Sequence, residues 1–410
     1  MKTKLSLAVA SALLAAASSA NAGIIIPAGD WTLDIGGVVN AYYTTTRTSG
    51  DDIALGGGAV NLGGGNANGE SRTNNITTGL LPNYLSVSGK TRQNDLDVGF
   101  TISINPGAST TQAGIQTGLL NQENRQAFLT FGDKSWGSIK LGKDLGIFAS
   151  DAILNDMTLL GVGSGAGFLA GNTTTLGRIG SGFIYADWKS QIAYTSPNWS
   201  GFSFTAGVTQ SWDALSITNI GTAAAPIAGD AGAFGREGSV PAIEAKASYE
   251  WTGDVGGKVW VSGITQKLEL ATGGSERANG YDVGATINLA GFGLTGYYYD
   301  GKGLGTTVQL LGAVDQNGNR RDSNGGYVQG TYTLPGVGTK LGLSWGISKL
   351  DRNGGDVLAA DLENEMWTVG AYHPLTKHLN LVAEYSDVKT DFGALDSKAK
   401  TVSLGAILFF

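Results

Sequence analysis

The chain has 410 residues, with 65 glycines, 8 prolines, no cysteine, 15% charged residues and a formal net charge of −7. The absence of cysteine excludes a disulfide scaffold, the low charge excludes a coiled coil, and glycine follows no every-third-residue pattern of the collagen kind. The 9 Trp, 14 Tyr and 13 Phe argue against disorder, and a balanced mean hydropathy excludes many spanning helices, so a large glycine-rich β protein remains, soluble or a barrel.

The first segment reads as a secretory signal peptide over residues 1–22. Lys2 and Lys4 form a positive start, Leu5–Ala17 is apolar, and Ala20-Asn21-Ala22 is a small-residue cleavage site before Gly23. Loss of two lysines makes the mature chain more acidic, which argues against nucleic acid as a partner. Export without cysteine fits passage across a bacterial inner membrane.

From Gly23 onward the recurring pattern is period two, the strand signal. Leu33, Ile35, Gly37, Val39, Ala41 and Tyr43 alternate with polar or small residues, as do Leu96–Ile104, Phe202–Val208, Ile243–Trp251, Tyr281–Leu289, Leu341–Ile347 and Val402–Phe410. The gaps come in two sizes. Short turns fall near Arg92–Asp95, Asp133–Gly137, Pro197–Gly201, Thr252–Gly257, Ala290–Gly293, Pro335–Thr339 and Pro374–Lys377. Long gaps fall at Thr44–Leu80, Asn105–Gln122, Asp144–Gly182, Ser211–Val240, Glu269–Ala278, Gly301–Asn324, Asp351–Glu363 and Thr390–Ser397. Short and long alternate, which predicts 16 strands with turns at one end and loops at the other, the arrangement of a membrane barrel. A barrel of that size is too wide to fill with side chains and encloses water. Trp136, Trp199 and Trp251 at short turns suit an aromatic girdle.

The gap at Asp144–Gly182 is unusual for a loop, because it carries Phe148, Ile153, Leu154, Met157, Leu159, Leu160 and Phe168. An exposed loop tip has no use for so many apolar groups. The reading is a constriction loop folded back into the lumen.

Taken in order, these features resemble the general diffusion porins of Gram-negative bacteria over nearly the whole mature chain. Arg125-Gln126-Ala127-Phe128-Leu129 looks like that family's fourth strand with its pore-lining arginine. Ser135–Lys143 looks like the turn and fifth strand that lead to the constriction loop. Asp151-Ala152 and Asp156-Met157 match acidic loop positions, and Gly177-Arg178-Ile179-Gly180 looks like the segment that follows. The resemblance implies an all-β, 16-stranded antiparallel transmembrane barrel over residues 23–410 with the third loop in the lumen. It implies a pore constriction with Asp156 and Asp151 on the acidic side, and Arg125 and Arg178, with Lys143 as a further candidate, on the basic side. Two departures stand out. The family's second loop carboxylate falls on Leu160, and basic residues of the first strands fall near Gly37 and Tyr84, so the neck is expected to carry less charge than in better-known relatives. Lys90, Arg92, Lys140, Lys189 and Lys246 are solvated charges on this reading. The apolar end Ile407-Leu408-Phe409-Phe410 resembles the C-terminal assembly signal of outer-membrane barrels, with Phe410 as its terminal aromatic.

The implied function is a water-filled outer-membrane channel for passive diffusion of ions and small hydrophilic solutes; the alternative is a channel selective for a sugar or organic acid. The implied partners are two further copies in a homotrimer, outer-membrane lipid and lipopolysaccharide, and the barrel-assembly machinery. No cofactor or metal is expected, because His373 and His378 have no partner at metal-ligand spacing and the glycine patches Gly56–Gly58 and Gly63–Gly65 precede no GK[ST]. An enzyme is not expected either, since a barrel hydrolase needs a catalytic histidine at the outer end, and both histidines sit near a predicted periplasmic turn.

Overall fold

The computed structural model describes residues 23–51, 53, 55, 72–109, 122–168, 174–217, 239–270 and 273–410; the expected signal peptide lies outside them, as does the middle of the first long gap with its two glycine patches. Nineteen strand segments form one antiparallel sheet, which closes as a barrel of 16 strands. In chain order these are β1 (Trp31–Gly50), β2 (Arg72–Thr77 and Tyr84–Gln93), β3 (Leu96–Pro106), β4 (Gln122–Glu123 and Ala127–Asp133), β5 (Gly137–Leu145), β6 (Trp188–Thr195), β7 (Phe202–Thr209) and β8 (Ala242–Trp251). The second half is β9 (Val255–Glu269), β10 (Ser275–Leu289), β11 (Phe292–Lys302), β12 (Asp322–Thr333), β13 (Lys340–Leu350), β14 (Leu362–Pro374), β15 (Leu379–Phe392) and β16 (Leu395–Phe409). An N-terminal strand that period-two reading missed, Ile24–Ala28, pairs back on β1 from Ile24↔Ile35 to Ala28↔Trp31.

Closure is made by β1 and β16, paired from Val38↔Phe409 to Gly50↔Ser397. Beyond the last ladder pair, Gly37 N–H donates to the Phe410 carbonyl at 2.7 Å and Phe410 N–H donates to the Gly37 carbonyl at 3.0 Å. Gly37 suits this point because a Cβ there would meet the Tyr84 carbonyl and the Phe410 ring. The expected alternation holds around the wall. Val39, Tyr43, Ile102, Leu343 and Leu404 are exposed on the outer face, while Asn40, Thr44, Thr46, Ser344 and Ser348 are buried on the inner one. That is the sidedness of a barrel bathed in lipid outside and polar groups inside.

All seven expected short turns connect strands. One expected long gap does not exist: Thr390–Ser397 is strand up to Phe392 and again from Leu395, joined by Gly393-Ala394 with Gly393 at φ 65. A tight turn with glycine in the left-handed region closes this hairpin, and the polar composition around it belongs to strand ends. The strands differ in length: β4's main piece, β6 and β7 have 7, 8 and 8 residues, whereas β9, β10 and β16 have 15 each.

Candidate functional site

The segment between β5 and β6, residues 146–187, is buried along almost its whole described length. It contains a short helix α1 (Ser150–Asn155), a 3-10 turn Met157–Leu160, and a hairpin of Ser164–Phe168 against Thr175–Gly177. Six residues are too few for α1 to stand alone, so its shape comes from what it touches. Asp156 separates the two helical turns and caps the second, its carboxylate accepting from Thr158 N–H at 3.1 Å.

Inner-face side chains of distant strands hold this segment. Glu244 of β8 accepts from the backbone N–H of Ile147 and Phe148, each at 2.9 Å, and from the Lys189 ammonium at 2.5 Å. Asp151 receives Lys246 of β8 at 3.2 Å and Lys258 of β9 at 2.5 Å. On β12, Tyr327 donates to the Ala152 carbonyl at 2.8 Å, and Gln329 clasps the end of α1, accepting from Met157 N–H and donating to the Asn155 carbonyl. Glu384 of β15 accepts from Val162 N–H, Gly163 N–H and the Tyr372 hydroxyl at 2.7, 2.9 and 2.6 Å. Phe148, Ile179, Phe183 and Ile184 pack with Trp260, Tyr297, Tyr299 and Tyr327 in the main apolar cluster. A second connection, between β11 and β12, joins in: Thr307 accepts from Tyr185 N–H at 2.9 Å, and Gln309 accepts from Lys189 at 2.7 Å.

The expected site residues separate into three groups. Asp156 and Arg178 come together at 3.8 Å, both fully buried. Arg178 also donates to the Met366 carbonyl at 3.0 Å. Burial pushes the Asp156 carboxyl above its ordinary value despite Arg178, and it lowers the Arg178 guanidinium despite Asp156. Burial also works to raise Asp151, but the two lysines beside it win and hold it below the ordinary carboxylate range. Arg125 points inward and is 4% exposed. It is paired with Glu123 at 2.7 Å, lies 3.4 Å from the Tyr185 hydroxyl, and stacks 5.8 Å from the Trp188 ring centroid. Lys143 does not join them. It pairs with Ala127 and Ser190 on the outward face, and its ammonium donates to the Asn124 carbonyl at 2.9 Å. The period-two count from Lys140 places it there: Lys140 and Asp144, an ion pair, share the inner face.

Opposite the anchored side lies a cavity of about 540 Å³. Its lining combines the polar Ser86, Ser88, Thr101, Asn105 and Gln126 of the barrel wall with the apolar Leu80, Leu81 and Leu145 and with Ile153, Leu154 and Leu159 of the segment. Tyr84, Tyr185, Trp188 and Phe410 add rings, and Asp34 and Arg125 are the charged residues of the lining. Asp151, Asp156 and Arg178 do not border it. Leu80 and Leu81 went unnoticed in the sequence. They sit in the break of β2, where Gly79 and Pro82 interrupt the strand. Asn40 of β1 satisfies the loose backbone there, accepting from Gly79 N–H at 2.9 Å and donating to the Leu81 carbonyl at 2.9 Å. Leu80 N–H then reaches the Gly161 carbonyl at 2.8 Å. The readable signal was a Gly-Leu-Leu-Pro run inside a polar stretch.

Comparison with known proteins places this geometry. The family profile described as Gram-negative porin matches residues 8–393. The outer membrane channel DcaP of Acinetobacter baumannii is 17% identical, with a TM-score of 0.65 over 95% of this chain and 100% of that one. The anion-selective porin from Comamonas acidovorans is 14% identical, with a TM-score of 0.60 over 93% and 100%. OmpF of Salmonella typhi, in complex with daunomycin, is 15% identical, with a TM-score of 0.54 over 93% and 100%. No curated protein matches the chain.

Proposed function

The chain belongs to the Gram-negative porins, outer-membrane channels for diffusion of small solutes, and on that premise we propose how this channel is narrowed, assembled and exported. The 146–187 segment is its constriction. The observation that carries this reading is the set of inner-face anchors, Glu244, Lys258, Gln329 and Glu384, which reach the segment from β8, β9, β12 and β15. Ions and polar solutes then pass on the other side, beside Arg125, driven by their own gradients. Because Arg125 is paired with Glu123, the transverse field at the neck is modest and ion selectivity is weak. The test uses the absence of cysteine: Leu154→Cys provides a single thiol, and a charged thiol reagent added to the open channel lowers its single-channel conductance. Unaltered conductance after complete labelling would remove the segment from the conduction path.

The assembly is a homotrimer. Strands that cross the hydrocarbon region need about 9–11 tilted residues, and β6 and β7 have 8 each. A wall that is too short for lipid is better covered by another copy of the chain. Heat-dependent migration and chemical crosslinking read this, a monomer-sized native band being the contrary result. Outer-membrane lipid and lipopolysaccharide cover the taller apolar face, and the assembly machinery reads the strand ending at Phe410. Residues 1–22 are removed on export, which mass measurement of the mature N-terminus at Gly23 checks. The channel carries out no chemistry of its own: His373 is bonded to the Thr339 hydroxyl at 2.9 Å, at the short-turn end of the barrel.

A further inference from the structure

Resting on the channel reading above, we propose that the cavity beside the 146–187 segment is a binding site for small uncharged solutes with one apolar face and one hydroxyl-bearing edge, the chemistry of phenols and aryl glycosides.

Three observations carry this. The first is the two-faced lining. Ser86, Ser88, Thr101 and Asn105 of the β2–β3 wall line the same cavity as Ile153, Leu154 and Leu159 of the 146–187 segment. A fully hydrated ion gains nothing from the leucine wall, and a plain sugar covers it poorly. A solute with a ring on one side and hydroxyls on the other satisfies both walls, because its apolar face leaves water while its polar edge keeps hydrogen bonds.

The second is charge. Arg125 and Asp34 are the charged residues of the lining, one of each sign. Arg125 is also satisfied by Glu123 at 2.7 Å. An organic anion would have to compete with that carboxylate for the guanidinium, and an organic cation would meet the guanidinium itself. The paired Arg125 instead offers a flat, stacked surface: it lies over the Trp188 ring, whose Nε1 donates to the Tyr185 hydroxyl at 2.8 Å. Rings can stack on such a surface without a charge of their own.

The third is size. At about 540 Å³ the cavity falls within the range of small-molecule sites, roughly 300–1,000 Å³. It reaches from Asp34 of β1 and Ser88 of β2, toward the short turns, to Asn105, Arg125 and Leu145 at the long-gap ends of β3, β4 and β5. A solute held there lies against the 146–187 segment, beside Ile153, Leu154 and Leu159.

The experiment is current block in planar bilayers. Phenyl β-glucoside, glucose, benzoate and benzyltrimethylammonium are added in turn to the wild-type channel, to Leu154→Asn and to Leu154→Met. Phenyl β-glucoside is expected to interrupt the current at concentrations where glucose does not. Leu154→Asn raises the half-blocking concentration by roughly tenfold, in line with loss of one apolar contact, and Leu154→Met restores it. Each variant's own conductance step shows that it has folded and inserted. Block by glucose as strong as by the glycoside overturns the apolar wall, and block by benzoate or the ammonium ion that exceeds it overturns the uncharged class. Normal conductance without block by any solute overturns the site and leaves the channel standing. Absence of any conductance overturns the channel reading together with the site.

Discussion

The two faces of the 146–187 segment use charge in opposite ways. Toward β8–β15 it is held by Asp151 with two lysines, by Asp156 with Arg178, and by Glu244 and Glu384 accepting from its backbone. Toward β1–β3 it presents Ile153, Leu154 and Leu159. Of the residues that family resemblance assigns to the pore, Asp151, Asp156 and Arg178 are engaged in these holding contacts, whereas Arg125 lines the cavity. Desolvation explains the division. A carboxylate that accepts several backbone donors is a strong strut once water is excluded, whereas a charge facing an aqueous passage is screened and holds little. The lesson is that a charge expected at a neck has to be tested for the side it faces before it is given a role in selectivity.

Glu384 carries the largest share of the holding contacts on the charged face. Glu384→Ala strands Val162 N–H, Gly163 N–H and the Tyr372 hydroxyl, at about 4 kcal/mol in total for buried donors without partners. The expected result is a lower thermal unfolding temperature and a noisier channel; quiet wild-type currents would mean that Glu384 is no strut. Asp151→Asn comes next, at about 2 kcal/mol, since it removes the nearer of the two carboxylates on the buried Lys258 and leaves it only Glu250 at 3.4 Å. In bilayers it also shifts the reversal potential toward anions, because Lys246 is freed. Arg125→Gln costs less stability and raises cation preference by no more than roughly twofold, given its Glu123 partner. A larger shift would return Arg125 to the role of an unpaired neck charge. Asp156→Asn is expected to leave the reversal potential unchanged, since Asp156 does not border the cavity and Asn can still cap Thr158, while loss of the carboxylate beside the fully buried Arg178 lowers the unfolding temperature.

Acid sharpens the contrast between the two aspartates. Asp151 is held below the ordinary carboxylate range, so its contribution is complete above about pH 4 and is lost as pH falls through the lower folded value. Asp156 is raised, so the native state takes up its proton first and gains stability as pH falls toward about 4. Melting curves against pH for the wild type and each asparagine variant should show differences of opposite slope. Parallel differences would contradict the assignment.

Much of the barrel was legible in the chain because a wall between lipid and a polar interior imposes period two on every strand, and because one end needs only turns. The seven short turns, the 16 strands and the sidedness of Val39, Tyr43 and Leu404 follow from that local rule. The exceptions were also local: Gly393-Ala394 hid a hairpin inside a polar run, and the N-terminal strand had no alternation to find. The candidate site was legible only as a list of residue types. Asp156 and Arg178 are 22 positions apart in the chain, and their ion pair, their burial and the wall they face depend on Met366, Tyr327 and Glu384, which come far later. Lys143 was misplaced because a resemblance carries no parity, whereas the β5 ladder does. Sequence determined which residues alternate and therefore the wall. Tertiary structure decided which charges lost their water, because desolvation is a property of what surrounds a group in three dimensions.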